Sequence, residues 1–158
     1  RQMQSEAATE YDLALRISDW VHQSMHYKSG VTTVATSAAE ALALGQGQCQ
    51  DYAHLMLAIC RAAGLPARYV SGHLLGEGGS HAWVEVFLPA PGGLNAFAFD
   101  PTNQRQPHLG YVTVAVGRDY SDVSPTSGSF TAPYGGQLSV SKRAGLTQVE
   151  YFDGLPLT

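Results

Sequence analysis

The chain has 158 residues, a net charge of -4 and a pI near 5.8. That balance carries no basic footprint and argues against nucleic acid as a partner. No apolar run reaches the roughly 18 residues of a membrane span, so no membrane partner is expected either. The length suffices for one domain with a real core.

Residues 5 to about 27 read as one long helix, with Tyr11, Leu13, Ile17, Trp20, Val21 and Met25 at loose helical spacing. Acidic residues dominate its early turns, which suits the helix dipole. Val31 to Thr36 is β-branched and reads as extended. Ser37 and Glu40 fit a capping box that opens a short helix ending at Gly45. Gly47 is expected to give the backbone freedom to turn sharply before Cys49. The segment from about Cys49 to Ala63 is apolar almost all round, as a central buried helix is, and Gly64-Leu65-Pro66 stops it.

Beyond Pro66 the periodicity changes from 3.6 to 2. Strands are expected over Ala67–Leu75, His81–Leu88, Asn95–Phe99 and Tyr111–Val116. A Gly/Ser/Pro/Thr-rich loop spans Gly117 to about Gly136, and Gln137–Lys142 with Leu146–Phe152 reads as a tail hairpin. Helices first and antiparallel strands second define the α+β class, with the buried helix packed on the sheet.

Two cysteines are present, Cys49 and Cys60. On one helix they share a face but lie roughly 16 Å apart, so both are expected to be free thiols. Free thiols, with no signal-peptide pattern in the visible chain, favour the cytoplasm, although the start at Arg1 leaves localisation open. His22 and His26 sit four apart on the expected helix face without an acidic or thiol partner. A metal set of Cys49, His54 and His81 is the other arrangement of this kind. Neither makes a convincing site, and no cofactor is expected.

The residues with chemistry lie elsewhere. Gly45-Gln46-Gly47-Gln48-Cys49 delivers a thiol to the first turn of the buried helix. Unpaired N–H groups and the positive end of the dipole favour a thiolate there. Taken as a hairpin with its turn at Pro89–Gly93, residues 81–100 set His81 near Asp100 at the open end. A carboxylate that accepts the imidazole N–H fixes the ring, whose other nitrogen can exchange a proton with the thiol. Cys60 reads as core packing. Asp51 reads chiefly as a first-turn acid that serves the dipole, with a lesser option of orienting nearby backbone.

Three motifs, Gly47-Gln48-Cys49-Gln50-Asp51-Tyr52-Ala53, His81-Ala82-Trp83-Val84-Glu85-Val86 and Phe99-Asp100-Pro101-Thr102-Asn103, resemble in order and spacing the transglutaminase-like superfamily. The likeness is greatest to its bacterial members described as cysteine proteases, and it covers about residues 5 to 120. Gly117 to Pro125 is similar to those members too. The resemblance implies a papain-like core over 1–158, with a helical part at about 5–66 and a sheet part at about 67–152, excised from a longer chain or whole. It implies Cys49 as nucleophile, His81 as general base and acid and Asp100 as orienting carboxylate. Acyl transfer on a peptide or protein amide would then run through a thioester.

Hydrolysis is slightly favoured over amine transfer. The first oxyanion donor would be the Cys49 backbone N–H. A second would come from Gln48, which is preferred, or from Gln46, Tyr27 or Trp20. The animal crosslinking enzymes of the family carry Trp after the nucleophile, where this chain has Gln50, and they use calcium and flanking β-sandwich domains, neither of which is legible here. Crosslinking is therefore an alternative, as is a catalytically idle binding module.

Overall fold

The computed structural model describes residues 7–124 and 131–137. Helix α1 (Glu10–Ser24) starts where the Thr9 side chain accepts from the Asp12 N–H, and it buries Leu13, Ala14, Ile17 and Val21. It is shorter at both ends than its periodicity suggests. Met25 is already extended, and β1 (His26–Tyr27) follows. His26 therefore leaves the helix and shares no face with His22. Residues 31–36 form a turn rather than a strand, closed by the Thr36 N–H on the Thr33 carbonyl at 3.0 Å.

Helix α2 (Ala38–Leu44) carries the expected capping box between Ser37 and Glu40, and Gly45 ends it at φ 65°. The next two residues, β2 (Gln46–Gly47), pair in parallel with β1, His26 against Gln46 and Tyr27 against Gly47. Helix α3 (Cys49–Ala62) is the expected central helix and buries Tyr52, Ala53, Leu55, Met56, Leu57 and Cys60.

The four-stranded sheet holds β3 (Ala67–Leu74), β4 (His81–Ala90), β5 (Gly93–Phe99) and β6 (Tyr111–Gly117) in the order β5-β4-β3-β6, all antiparallel. Ala82, Val84, Val86 and Leu88 of β4 join the core with α1 and α3. This is the α+β arrangement expected from the sequence. A short 3₁₀ turn (Tyr120–Asp122) follows β6, and Val123 returns to the core. Strands expected over 137–142 and 146–152 fall almost wholly outside the described residues.

The opposite face of β4 is also covered at its start. Trp83 is buried, edge-on to Tyr111 with ring centroids 5.3 Å apart, and its ring lies over Gly72. A β-carbon on Gly72 would sit 2.5 Å from that ring and collide with the Val112 carbonyl oxygen. The strand register shifts at this point, between Ser71 and Gly72. Gly72→Ala is expected to cost about 1–3 kcal/mol through overpacking. A urea titration checks this: the midpoint should fall at unchanged slope.

Candidate active site

Cys49 stands at the first position of α3, partly exposed. Its presentation depends on Asp51. The Asp51 carboxylate accepts from the Gln48 N–H at 2.7 Å and from the Thr32 hydroxyl at 2.6 Å. It is buried against Gly47, where a β-carbon would lie 2.6 Å from its oxygen. Gly47 is thus required for close approach, not for the conformational freedom expected of it: its φ is not positive. Asp51 does orient the backbone, besides being a first-turn acid.

His81 opens β4. The hairpin register pairs Val84 with Phe99, so by continuation Asp100 lies across from Trp83, two residues from the position expected by bisecting the turn. An even offset keeps both side chains on one face. The His81 Nε2 lies 2.8 Å from Asp100 Oδ2. Cys49 and His81 face the same two clefts, and the sulfur is near enough to contribute to the charge state of the ring. The structure thus places Cys49 on the same cleft as His81, and joins His81 to Asp100.

Asp100 is fully buried, yet well provided with donors. Its Oδ2 accepts from Asn103 Nδ2 at 2.8 Å and from the Tyr111 hydroxyl at 2.6 Å. Its Oδ1 accepts from the backbone N–H groups of Thr102 and Asn103 at 3.0 and 3.2 Å. Arg105 Nε donates to the Tyr111 oxygen at 2.7 Å. The turn after Asp100 is pinned from outside, with His22 Nδ1 3.1 Å from the Pro101 carbonyl and Gln104 donating to Asp19. Tyr111 and Arg105 carry no sequence signal for this role: Tyr111 reaches Asp100 because β6 crosses to the far edge of β3, and Arg105 because its backbone bridges that of Asp100.

These contacts set the charges. Burial works against the charged form of His81, but the hydrogen bonds and charges of Asp100 and Cys49 outweigh it and raise the pKa to about 10. Burial likewise opposes ionisation of Asp100, and the bonds from His81, Tyr111 and Asn103 hold it below the usual carboxylate range. Burial and the Asp100 bond push Tyr111 up to about 12, so it remains a donor. Burial pushes the Cys60 thiol up to about 12 as well.

Two clefts flank Cys49 and His81. The first, about 510 Å³, is lined by Tyr27, Cys49, Glu77, Gly78, Gly79, Ser80, His81, Thr102 and Asn103. The second, about 300 Å³, shares Tyr27, Cys49, Ser80 and His81 and adds Gln48, Asp51, Tyr69 and Tyr120. Of the four expected oxyanion donors, Gln48 and Tyr27 line a cleft with Cys49. Tyr27 is there because β1 runs beside Gly47. Gln46 and Trp20 line neither cleft: Gln46 is opposite His26, and Trp20 packs against the core.

His54 lines neither cleft that holds Cys49 and His81. Its Nε2 accepts from the Tyr120 N–H at 3.2 Å, on the wall of a separate cleft. Among the described residues no group of three or more His, Cys, Asp or Glu is arranged to hold a metal ion.

Comparison with known proteins places this geometry in context. The model of the transglutaminase-like superfamily matches residues 1–101. An uncharacterised protein of Mycobacterium leprae is 40% identical over 122 residues, which are 71% of this chain and 42% of the relative. A protein-glutamine gamma-glutamyltransferase of Pseudomonas aeruginosa is 40% identical over 73 residues, 39% of this chain and 10% of its own length. The crystal structure of a "putative cysteine protease" from Cytophaga hutchinsonii superposes with a TM-score of 0.65 at 39% identity, covering 72% of this chain and 38% of that one. The chain spans about two fifths of the length of the Mycobacterium relatives it matches.

Two outcomes are expected. Iodoacetamide near neutral pH should label Cys49 in the native protein and reach Cys60 only after denaturation, as peptide mass spectrometry would show. The folded pKa of His81 lies above its unfolded value near 6.5. Its charged contacts therefore stabilise fully below about pH 6.5 and are lost as pH rises toward about 10. Urea stability should fall over that window, and fall less in His81→Gln.

Proposed function

The chain belongs to the transglutaminase-like superfamily, and on that premise we propose that it cleaves amide bonds by thiol-dependent acyl transfer with a Cys49–His81–Asp100 triad. The observation that carries the reading is the meeting of Cys49 and His81 on one cleft, with His81 bonded at 2.8 Å to a buried carboxylate. Asp100 engages Nε2, which leaves Nδ1 as the ring nitrogen for the sulfur. A His81 that holds its proton at neutral pH supplies a counter-ion for a thiolate and an acid for the leaving amine.

In the reaction the Cys49 sulfur attacks the amide carbonyl carbon. The oxyanion takes a hydrogen bond from the Cys49 backbone N–H at the helix start, and a second from the side chain of Gln48 or Tyr27. The C–N bond breaks as His81 passes its proton to the departing nitrogen, leaving a thioester. Water then attacks, His81 accepts its proton, and the sulfur leaves as the acid is released. Tyr111, itself held by Arg105, keeps Asp100 aimed at Nε2 and acts as a positioning residue.

Hydrolysis is favoured over amine transfer because the glycine-lined cleft leaves the sulfur open to water. Amine transfer uses the same machinery and is the second reading, supported by the relative from Pseudomonas aeruginosa.

Cys49→Ala should abolish turnover, by about four orders of magnitude, at a stability cost under about 1 kcal/mol. The pH dependence of iodoacetamide alkylation at Cys49 tests the pair directly. Reactivity well below pH 8 that is lost in His81→Ala supports the mechanism, and ordinary thiol behaviour in both proteins would overturn it. Tyr111→Phe should lower kcat/KM about tenfold and leave KM nearly unchanged. Steady-state kinetics checks this.

A further inference from the structure

The first cleft holds a carboxylate that the triad does not use. Glu77 sits on the loop between β3 and β4, with its Oε2 3.7 Å from His81 Nδ1 and its side chain about half exposed. The loop is fastened at both sides: the Glu77 N–H donates to the Leu74 carbonyl at 3.0 Å, and His73 Nδ1 lies 3.2 Å from the Gly79 carbonyl. Besides His81, Glu77 is the one formally charged side chain among the lining residues apart from Cys49. Asp100 already balances the imidazolium from the opposite nitrogen. Glu77 therefore leaves surplus negative charge at the mouth of the cleft. Arg105 also interacts with Glu77, but its Nε is engaged with the Tyr111 hydroxyl.

We propose that Glu77 is a specificity-determining residue, and that the first cleft takes the amine side of the substrate with a cationic group, an ammonium or guanidinium, against its carboxylate. This rests on the triad reading, because it places the leaving or entering nitrogen at His81 Nδ1, where Glu77 also lies. In the resting protein Glu77 faces the imidazolium. At 3.7 Å Glu77 pairs with the ring by charge and not by a hydrogen bond, so Nδ1 keeps its N–H for the sulfur and the scissile nitrogen while the carboxylate receives the cation. The cation belongs either to a basic side chain of a peptide substrate or to a free amine acceptor.

Methanethiosulfonate reagents test the field without a known substrate. The Cys49 sulfur attacks the thiosulfonate sulfur, a disulfide forms and methanesulfinate leaves, so rates report what reaches the thiol. In the native protein the 2-aminoethyl reagent should react at least about fivefold faster than the anionic sulfonatoethyl reagent, each normalised to a small neutral thiol. Glu77→Gln should erase most of that preference once each rate is divided by that of the neutral methyl reagent on the same variant. Glu77→Lys should reverse it. An unchanged preference in Glu77→Gln would overturn the proposal.

Protection of Cys49 from the neutral reagent separates the sources. Protection by n-butylamine alone identifies a free amine, and protection by a lysine-containing peptide over its norleucine counterpart identifies a basic side chain. Protection by neither overturns the proposal. Failure of the triad reading looks different: Cys49 would then show ordinary thiol rates toward the neutral reagent, with the same pH dependence in His81→Ala.

Discussion

A carboxylate with no exposure to water cannot stay charged unless the protein replaces the whole of its hydration. Asp100 is in that position, and five donors meet it from four residues. His81 comes from the start of β4, Asn103 and the Thr102 N–H from the turn that follows β5, and Tyr111 from β6. The requirement to satisfy one anion thus fixes where three separate pieces of the sheet must meet. His81 owes its orientation and its charge to the same requirement, and the proposed nucleophile owes its partner to His81.

The thiol is presented by a second buried carboxylate with a different task. Asp51 closes the start of α3 by capping Gln48 and tying in Thr32. Gly47 must be small for that carboxylate to reach the turn, and β1 can lie beside Gly47 because the turn is so shaped. Tyr27 arrives at the cleft through that pairing. The two acids divide the labour: one shapes the backbone under the sulfur, and the other holds the imidazole.

Much of this was legible in the sequence. Local signals worked where the cause was local: the capping box at Ser37, the left-handed Gly45, the apolar run of α3 and the alternation of the strands all stand in the structure. The adjacency of His81 and Asp100 was readable because a hairpin ties it to turn length. The offset of two residues arises because the turn is centred between Pro91 and Gly92, one residue later than a pairing of His81 with Asp100 requires. Helix α1 ends before its apolar spacing does: that spacing continues through Met25, where the chain turns extended to pair with β2. Tyr111, Arg105 and Glu77 were not readable as parts of the site. Each depends on a contact across the sheet or across a loop, and nothing in the residues around them encodes it.

The placement of Tyr111 also bears on how small a core of this family can be. The family match ends at residue 101, and the three motif residues all lie within it. Yet the hydroxyl that caps Asp100 comes from β6, Tyr120 of the second cleft follows it, and Val123 closes the core beyond that. A fragment cut at the last motif would keep Cys49, His81 and Asp100 and lose the strand that covers the outer edge of β3. Its buried carboxylate would be short of a donor and open to water on the Trp83 side. The motifs therefore mark the chemistry without marking the autonomous unit, whose boundary is set by what the buried charge needs around it.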